Sequence, residues 1–67
     1  MFEKLRKIRQ DENIKAIEIA EVIGLKTESA YYKKETGKVP FTLEQALIIA
    51  NMLNKSVEEV FSENEVS

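Results

Sequence analysis

The stretch IAEVIGLKTESAYYKKETGK, residues 19–38, decides the fold of this 67-residue chain. Apolar residues at helical spacing run up to Gly24, and a glycine directly after the last apolar residue commonly adopts the left-handed conformation that ends a helix. Thr27 can accept a hydrogen bond from a free backbone N–H and so begin the next helix. A second glycine, Gly37, predicts where that helix ends. The stretch therefore predicts two short helices, the later one over about residues 28–35.

Three residues around the turn predict how these two helices cross. Ala20 is small enough to let the helix axes approach, Gly24 makes the turn, and Leu25 is placed to fill the corner. Such a pair is a helix-turn-helix unit. On these three residues alone, an ordinary helical hairpin inside a bundle is an equally good interpretation, so the composition of the later helix has to decide.

Helical spacing and capping residues predict the remaining helices. A first helix covers residues 2–10, and the helix that ends before Gly24 begins at Ile14. Thr42 begins the capping box TLEQ, which starts a fourth helix ending near residue 54. Ser56 begins a second box, SVEE, before a short fifth helix.

These elements predict an all-α fold, a compact five-helix bundle in which helices two and three form the helix-turn-helix. One domain covers residues 1–62, and a short polar tail follows over residues 63–67. The predicted buried face of helix four comprises Leu43, Ala46, Leu47, Ala50 and Leu53. The predicted core of the domain comprises Leu5, Ile8, Ile19, Ala20, Ile23, Leu25, Tyr31, Leu47, Ala50, Leu53 and Phe61.

The composition excludes several classes of function. The chain has no cysteine and no histidine, which removes disulfides, thiolate metal sites, the usual general base and the commonest metal ligand. The adjacent tyrosines, Tyr31 and Tyr32, do not form an acid–base pair with the lysines that follow, because neighbouring helical residues point about 100° apart. We therefore expect no enzyme activity, no catalytic residue, no metal and no cofactor.

Hydropathy and the N-terminal sequence bear on where the protein is located. No apolar run approaches the roughly 18 residues that a membrane-spanning helix requires. The segment MFEKLRKIRQ is charged from its third residue, unlike a signal peptide. We expect a cytoplasmic protein with no membrane partner.

Charge is distributed unevenly along the chain, although the net charge is only −2. Residues 1–38 contain nine Lys/Arg and seven Asp/Glu, whereas residues 39–67 contain one lysine and five glutamates. The basic residues form two clusters, in helix one and around helix three: Lys4, Arg6, Lys7 and Arg9, then Lys26, Lys33, Lys34 and Lys38. Either cluster alone is typical of a solvated helix face, but their presence in one half favours an anionic partner such as DNA.

Helix three has the composition of a helix inserted into a partner rather than of a buried one. Its inner side offers only Ala30 and Tyr31, with Lys34 one turn later. Hydrogen-bonding residues occupy its outer side: Glu28, Ser29, Tyr32, Lys33 and Thr36. Short polar side chains near a helix N-terminus can reach base edges in the major groove, and lysines can bind phosphates or guanine acceptors. The pattern predicts insertion into the DNA major groove.

The ordered set of segments resembles the Cro/phage-repressor helix-turn-helix family, also called the XRE family, of prokaryotic and phage regulators. The similar segments cover nearly the whole chain: LRKIR in helix one, IAEVIGL through the turn, KKETGK at the end of helix three, and FTLEQALIIANMLNKSVEEVF for helices four and five. The resemblance implies a five-helix DNA-binding domain of the phage-repressor type and a sequence-specific transcriptional regulator.

The resemblance also implies roles for individual residues. Base reading falls on three residues of helix three: Glu28, Ser29 and Lys33. Six further residues are assigned to the DNA backbone or left open between roles: Lys15, Lys26, Thr27, Tyr32, Thr36 and Lys38. The resemblance itself places only Thr36 and Lys38, in the phosphate-binding loop after helix three. Of the six, Tyr32 can instead contact a thymine methyl group. Tyr31 is implied to be buried, and Glu35 is implied to hold the helix end rather than to contact DNA.

The chain departs from the family pattern in three places. Gly24 to Glu35 is one residue longer than the commonest spacing, which affects the register of residues 26–28. Where the family begins helix two with Ser/Thr-Gln, this chain has Lys15 followed by alanine. The side-chain cap is therefore lost, and Lys15 can supply a phosphate contact by charge. A carboxylate at Glu28 can accept a hydrogen bond only from cytosine N4 among the base edges.

The resulting hypothesis is a sequence-specific repressor that binds double-stranded DNA as a homodimer and is nucleoid-associated when bound. Its dimer surface is expected around helix five and the tail, with Ile17 and Val22 as a weaker alternative. The second hypothesis is a protein-interaction module, antirepressor-like or antitoxin-like, which the overall acidity and Glu28 favour. Such a module would bind a protein partner tightly and DNA only weakly.

Overall fold

The computed structural model describes residues 2–61 and confirms the all-α fold. The described residues form five helices: α1 Glu3–Asp11, α2 Ala16–Val22, α3 Glu28–Glu35, α4 Leu43–Met52 and α5 Val57–Val60. α3 has the predicted bounds. α2 begins two residues later than predicted, because Ile14 belongs to the connection, where its N–H donates to the Arg9 carbonyl at 2.9 Å. The predicted tail, residues 63–67, lies outside the described residues.

Side-chain caps form at α3 and α4 where the sequence predicts them. Thr42 Oγ1 accepts from the Gln45 N–H and Gln45 Oε1 accepts from the Thr42 N–H, both at 3.1 Å. These reciprocal bonds complete the predicted capping box of α4. Thr27 Oγ1 accepts from the Ala30 N–H at 3.1 Å and caps α3. The predicted cap at Thr27 is therefore confirmed, and it fixes the register of the turn before α3, which the sequence had left open.

The caps of α2 and α5 are partial. At α5, Ser56 Oγ accepts from the Glu59 N–H at 3.1 Å. At α2, the predicted loss of the side-chain cap is confirmed, because a lysine ammonium at Lys15 has no acceptor. Glu18 Oε2 offsets this loss by accepting from the Lys15 backbone N–H at 2.7 Å. One free N–H at the start of α2 is thus satisfied by a carboxylate from the first turn.

Left-handed residues lie two positions after the last residue of each of the first four helices. Gly24 and Gly37 have φ values of 83° and 90°, which confirms both glycine predictions. Asn13 and Asn54 each have a φ of 57° and end α1 and α4. Helical spacing did not predict the conformation of these asparagines, although asparagine is the residue other than glycine that commonly adopts it at a helix end.

Gly24→Val is expected to lower the free energy of unfolding by about 1–2 kcal/mol, because a side chain at a left-handed backbone is strained. A Cβ at Gly24 would meet no atom within 4 Å, so the loss reports the backbone conformation alone. Gly24→Asn is the matched control and should lose less, since asparagine tolerates this conformation. Urea denaturation measures all three proteins, and a valine variant as stable as the parent would contradict the assigned turn.

An aromatic cluster lies at the centre of the core. Phe2, Phe41 and Phe61 meet edge to face, with ring centroids 5.0, 5.6 and 5.2 Å apart. The Tyr31 ring lies 6.3 Å from that of Phe41. These rings join the N-terminal residues, α3, the loop before α4 and the end of α5. Phe41 was missing from the predicted core because it lies in a loop, where helical spacing carries no signal.

The predicted buried face of α4 was wrong in two residues. Leu43 and Leu47 are 56% and 53% exposed. The residues that are buried are Ala46, Ile49, Ala50 and Leu53. Seven of the ten residues of α4 are apolar, so periodicity could not choose between its faces. Packing decided the orientation, because α2 and α5 both contact α4.

The helices are short, and the longest in the described part of the chain, α4, has ten residues. None of the described helices is both long and apolar enough to cross a membrane.

Short helices leave residues near their ends only partly covered. Ile8 and Leu25, which were predicted to be core, are accordingly half-buried and pack against the core from its edge.

Candidate nucleic-acid interface

α3 presents a polar strip to solvent while its other side packs against α2 and α1. All five residues predicted for its outer side are exposed, and they define the outer α3 face: Glu28, Ser29, Tyr32, Lys33 and Thr36. On the inner side, Tyr31, Lys34 and Glu35 are buried. The three predicted base-reading residues therefore lie on one accessible strip of one rigid helix.

A buried network around Glu35 holds the C-terminal end of α3 against α1. Arg9 Nε donates to Glu35 Oε2 at 3.0 Å, and Arg9 Nη2 donates to Oε1 at 3.4 Å. Arg6 Nε adds a bond to Oε1 at 3.3 Å. The Tyr31 hydroxyl donates to Oε2 at 2.6 Å. The predicted structural role of Glu35 is confirmed, since its side chain is 1% exposed and its partners come from both helices.

The protonation states of this network follow from its burial. Burial and the hydrogen bond to Glu35 both raise the pKa of Tyr31 above its ordinary value, so the phenol remains a donor at neutral pH. Burial opposes the charge on Arg9, but the hydrogen bond and attraction from Glu35 outweigh it and raise the pKa of Arg9. Arg9 therefore stays charged and the Tyr31 phenol stays neutral, so both can donate to Glu35.

Arg9 also connects this network to the start of α2. Its Nη1 donates to the Ile14 carbonyl at 3.2 Å. Its guanidinium carbon lies 5.9 Å from the ring centroids of both Tyr31 and Tyr32, within the range of a cation–π contact. One buried arginine thus fixes the orientation of α3 relative to α1 and to the residues that precede α2.

A shallow groove of about 480 Å³ lies beside the outer α3 face, between the end of α1, the start of α2 and the first turns of α3. Its lining residues are Arg9, Gln10, Asn13, Ile14, Lys15, Ala16, Glu28 and Tyr32. The groove brings Lys15, predicted to bind phosphate, into one surface with Glu28 and Tyr32. The exposed amides of Gln10, in the last turn of α1, and Asn13, in the α1–α2 connection, were not predicted, because no spacing rule places these residues beside α3.

The loop after α3 is held in place by its own hydrogen bonds. Lys34 Nζ donates to the Pro40 carbonyl at 2.9 Å and lies 5.9 Å from the Phe41 ring centroid. The Lys38 N–H donates to the Lys33 carbonyl at 2.9 Å. The exposed side chain of Lys38 is therefore presented from a fixed backbone next to the last turn of α3.

Two predicted backbone-contacting hydroxyls already take part in internal hydrogen bonds. Thr36 Oγ1 donates to the Tyr32 carbonyl at 2.8 Å, which leaves its oxygen able to accept. Thr27 Oγ1 accepts from the Ala30 N–H, which leaves its O–H able to donate. Only Thr27 therefore retains a hydroxyl proton for a phosphate oxygen, and both threonines have a structural role as well.

The two basic clusters have different surroundings. In α1, Arg6 and Arg9 bind Glu35, and Lys4 Nζ donates to the Glu58 carbonyl at 3.3 Å. Much of the first cluster thus binds other parts of the domain. Around α3, the exposed lysines Lys26, Lys33 and Lys38 form no ion pair with any carboxylate within residues 2–61. Three exposed lysines thus carry positive charge around α3, whereas in the first cluster the two arginines share the charge of Glu35 and only the exposed lysines Lys4 and Lys7 remain outside that ion pair.

The comparisons with known proteins agree with this geometry. A family model described as helix-turn-helix matches residues 5–60, which is most of the chain. No curated protein and no solved structure matches the chain significantly. The matched residues span all five helices and include α2, the turn at Gly24 and α3. The chain therefore belongs to the XRE-type helix-turn-helix family, the family of Cro-like and repressor-like DNA-binding regulators.

Proposed function

We propose that the protein is a sequence-specific transcriptional repressor that inserts α3 into the major groove of double-stranded DNA. The observation that carries the proposal is the outer α3 face, a row of exposed hydrogen-bonding side chains on a helix held by a buried ion pair. Family membership supports the coarser statement, a DNA-binding helix-turn-helix regulator rather than an enzyme. Such a regulator would act in the cytoplasm, associated with the nucleoid when bound.

Base reading is assigned to three residues of the outer α3 face, Glu28, Ser29 and Lys33, which would face the floor of the DNA major groove. Ser29 can donate to or accept from a base edge, and Lys33 can donate to guanine O6 or N7. Glu28 can accept from cytosine N4, so its carboxylate would select a C·G pair over the other base pairs at that position. Together these side chains would read a short half-site.

Contacts with the DNA backbone would position this reading helix. Five residues on or around the outer α3 face are proposed for them, Lys15, Lys26, Thr27, Tyr32 and Lys38, whereas the hydroxyl proton of Thr36 is already donated to the Tyr32 carbonyl. Lys15 lies at the groove beside α3, and Lys38 lies on the fixed loop after it. Lysines at both ends of the helix would neutralise phosphates on either side of the major groove, which orients α3 without carrying sequence information.

A homodimer is part of the proposal, because one short recognition helix makes few base contacts. Two copies related by a two-fold axis would read a palindromic site, with half-sites about 34 Å apart or a multiple of that distance. Each copy would then add its own phosphate contacts, and the affinity would depend steeply on salt concentration.

The second candidate function is a protein-interaction module on the same fold. The net charge of −2 and the acidic Glu28 beside the groove favour it, because both oppose approach to phosphates. A protein partner would replace DNA at the outer α3 face. The measurements below distinguish the two functions, since only the first requires preference among duplexes.

Alanine substitutions should separate base reading from backbone binding. Ser29→Ala and Lys33→Ala should each weaken binding to the selected duplex by about 1–3 kcal/mol, with little change on random DNA. Lys38→Ala should weaken binding to both duplexes alike and lower the salt slope by about one unit. Binding isotherms at two salt concentrations, on duplexes selected from a random pool, measure these changes.

Lys55→Ala is the matched control for these lysine variants. Lys55 is an exposed lysine after α4, outside the outer α3 face and its groove, so its loss should leave binding unchanged. Circular dichroism checks that each variant is folded. If Ser29→Ala, Lys33→Ala and Lys38→Ala all bind like the parent while folded, α3 is not the DNA-reading element and the protein-interaction function gains support.

A further inference from the structure

The solvent side of α4 is unusually apolar for a helix in a small domain. Besides Leu43 and Leu47, the side chains of Ile48 and Met52 are 37% and 38% exposed. Four large apolar side chains thus face solvent on a helix of ten residues. Scattered single apolar residues are normal on protein surfaces, but a contiguous apolar patch typically marks an interaction site.

These side chains form two neighbouring rows along the helix. The first row, at i and i+4 spacing, is Leu43, Leu47 and Asn51, and the second is Glu44, Ile48 and Met52. We call the six residues the outer α4 face. Each row contains two apolar residues and one polar residue. The polar residues lie at opposite ends, because Glu44 begins its row and Asn51 ends the other.

This arrangement is complementary to itself when a second copy packs antiparallel about a two-fold axis. Centred between residues 47 and 48, such a pair sets Leu47 against the partner's Leu47 and Ile48 against the partner's Ile48, while Leu43 and Met52 lie at the two edges of the contact, because nine residues place them on opposite sides of the helix. Glu44 then lies opposite the partner's Asn51, whose amide N–H can donate to the carboxylate. Rows at i and i+4 spacing are the ridges that commonly interlock between packed helices. The two central apolar residues thus meet apolar residues of the second copy, and the two polar residues near the midline of the face meet hydrogen-bonding partners.

We propose that the outer α4 face binds the same face of a second copy of this chain. The proposal rests on the homodimer of the proposed function and assigns its surface. α4 contacts α2 and α5, whereas α3 contacts α2 and α1, so the pairing leaves the outer α3 face uncovered. A two-fold axis through α4 would therefore hold two reading helices on one assembly.

The assignment differs from the sequence-based expectation of a surface around helix five. In α5 and the residue after it, Val60 and Phe61 are buried in the core and Val57 is half-buried. The exposed residues of α5 are Glu58 and Glu59, which would repel the same residues of a second copy. Within residues 2–61, α4 offers the larger apolar surface.

Opposite charges introduced at Leu47 test the proposal. Leu47→Glu and Leu47→Lys each place two like charges near the two-fold axis, so each variant alone should dimerise at least about tenfold more weakly than the parent. An equimolar mixture should recover a heterodimer, because each glutamate then faces a lysine. Sedimentation equilibrium over a concentration series measures all four samples. Val22→Glu is the matched control, since Val22 is 46% exposed on α2, and it should dimerise like the parent.

Three results would overturn the proposal: Leu47 variants that dimerise like the parent, a mixture that recovers no heterodimer, or a parent chain that stays monomeric throughout the series. Binding of the same proteins to random duplex DNA is measured in parallel. Leu47→Glu should keep the per-chain salt slope of the parent, because its phosphate contacts are intact. A parent that dimerises but binds no DNA would contradict the proposed function and leave this assignment standing, so the two failures are distinguishable.

Discussion

Replacing Arg9 with methionine is expected to lower the free energy of unfolding by about 3–5 kcal/mol, the loss typical of removing one partner from a buried ion pair. Glu35 would remain 1% exposed with its charge bound mainly by Arg6, whose side chain is 37% exposed, and by Tyr31. Methionine retains the apolar stem of the arginine, so the change in stability reports the loss of the guanidinium group. Urea denaturation monitored by circular dichroism measures the loss.

Two further variants control the Arg9 experiment. Arg6→Met removes a single bond from a partly exposed arginine and should lower the free energy of unfolding by at most about 1 kcal/mol. The double variant Arg9→Met, Glu35→Gln removes the charge left without its partner, so it should be more stable than Arg9→Met alone. An Arg9→Met protein within 1 kcal/mol of the parent would show that the network does not hold α3 against α1.

Ile49→Ala is expected to lower the free energy of unfolding by about 2–5 kcal/mol, because the side chain is fully buried and its loss leaves a cavity in the core. Leu47→Ala is the control from the same helix. Leu47 is 53% exposed, so its truncation should cost less than about 1 kcal/mol. Both variants are compared by urea denaturation at concentrations where the chain is monomeric, so that self-association does not add to the difference.

The order of these two losses tests the orientation of α4. If Leu47→Ala is the more destabilising variant under monomeric conditions, α4 is rotated relative to the structure and the outer α4 face is not at the surface. Equal losses would mean that the helix buries neither residue preferentially. Only the expected order agrees with the packing of α4 against α2 and α5.

Much of the candidate interface could be predicted from the sequence because its signals are local. The bounds of α3 follow from the Thr27 cap and from the left-handed Gly37, and both depend only on residues a few positions away. Its exposed side follows from composition, since α3 carries too few apolar residues for more than one orientation against a core. The family resemblance predicted the structural role of Glu35, whereas only the folded chain shows its bonds to Arg6, Arg9 and Tyr31.

Other features depend on which parts of the chain meet in space. Phe41 enters the core from a loop, and Gln10 and Asn13 reach the groove beside α3 from the last turn of α1 and from the connection after it. Spacing within one element predicts neither contact. The positive charge of α1 looked available to a partner until Arg6 and Arg9 were found bound to Glu35, 29 and 26 residues away in the sequence. Sequence spacing carries no information about such distant pairs.

The sequence by itself determined that five helices form, where α3 begins and ends, and which polar side chains of α3 are accessible to solvent. Those properties depend on hydrogen bonds and apolar spacing within a few residues. Only the tertiary structure decided which side of α4 is buried, because α4 is apolar nearly all round and its neighbours choose the face. That choice leaves Leu43, Leu47, Ile48 and Met52 at the surface, since α2 and α5 pack against the opposite side of the helix.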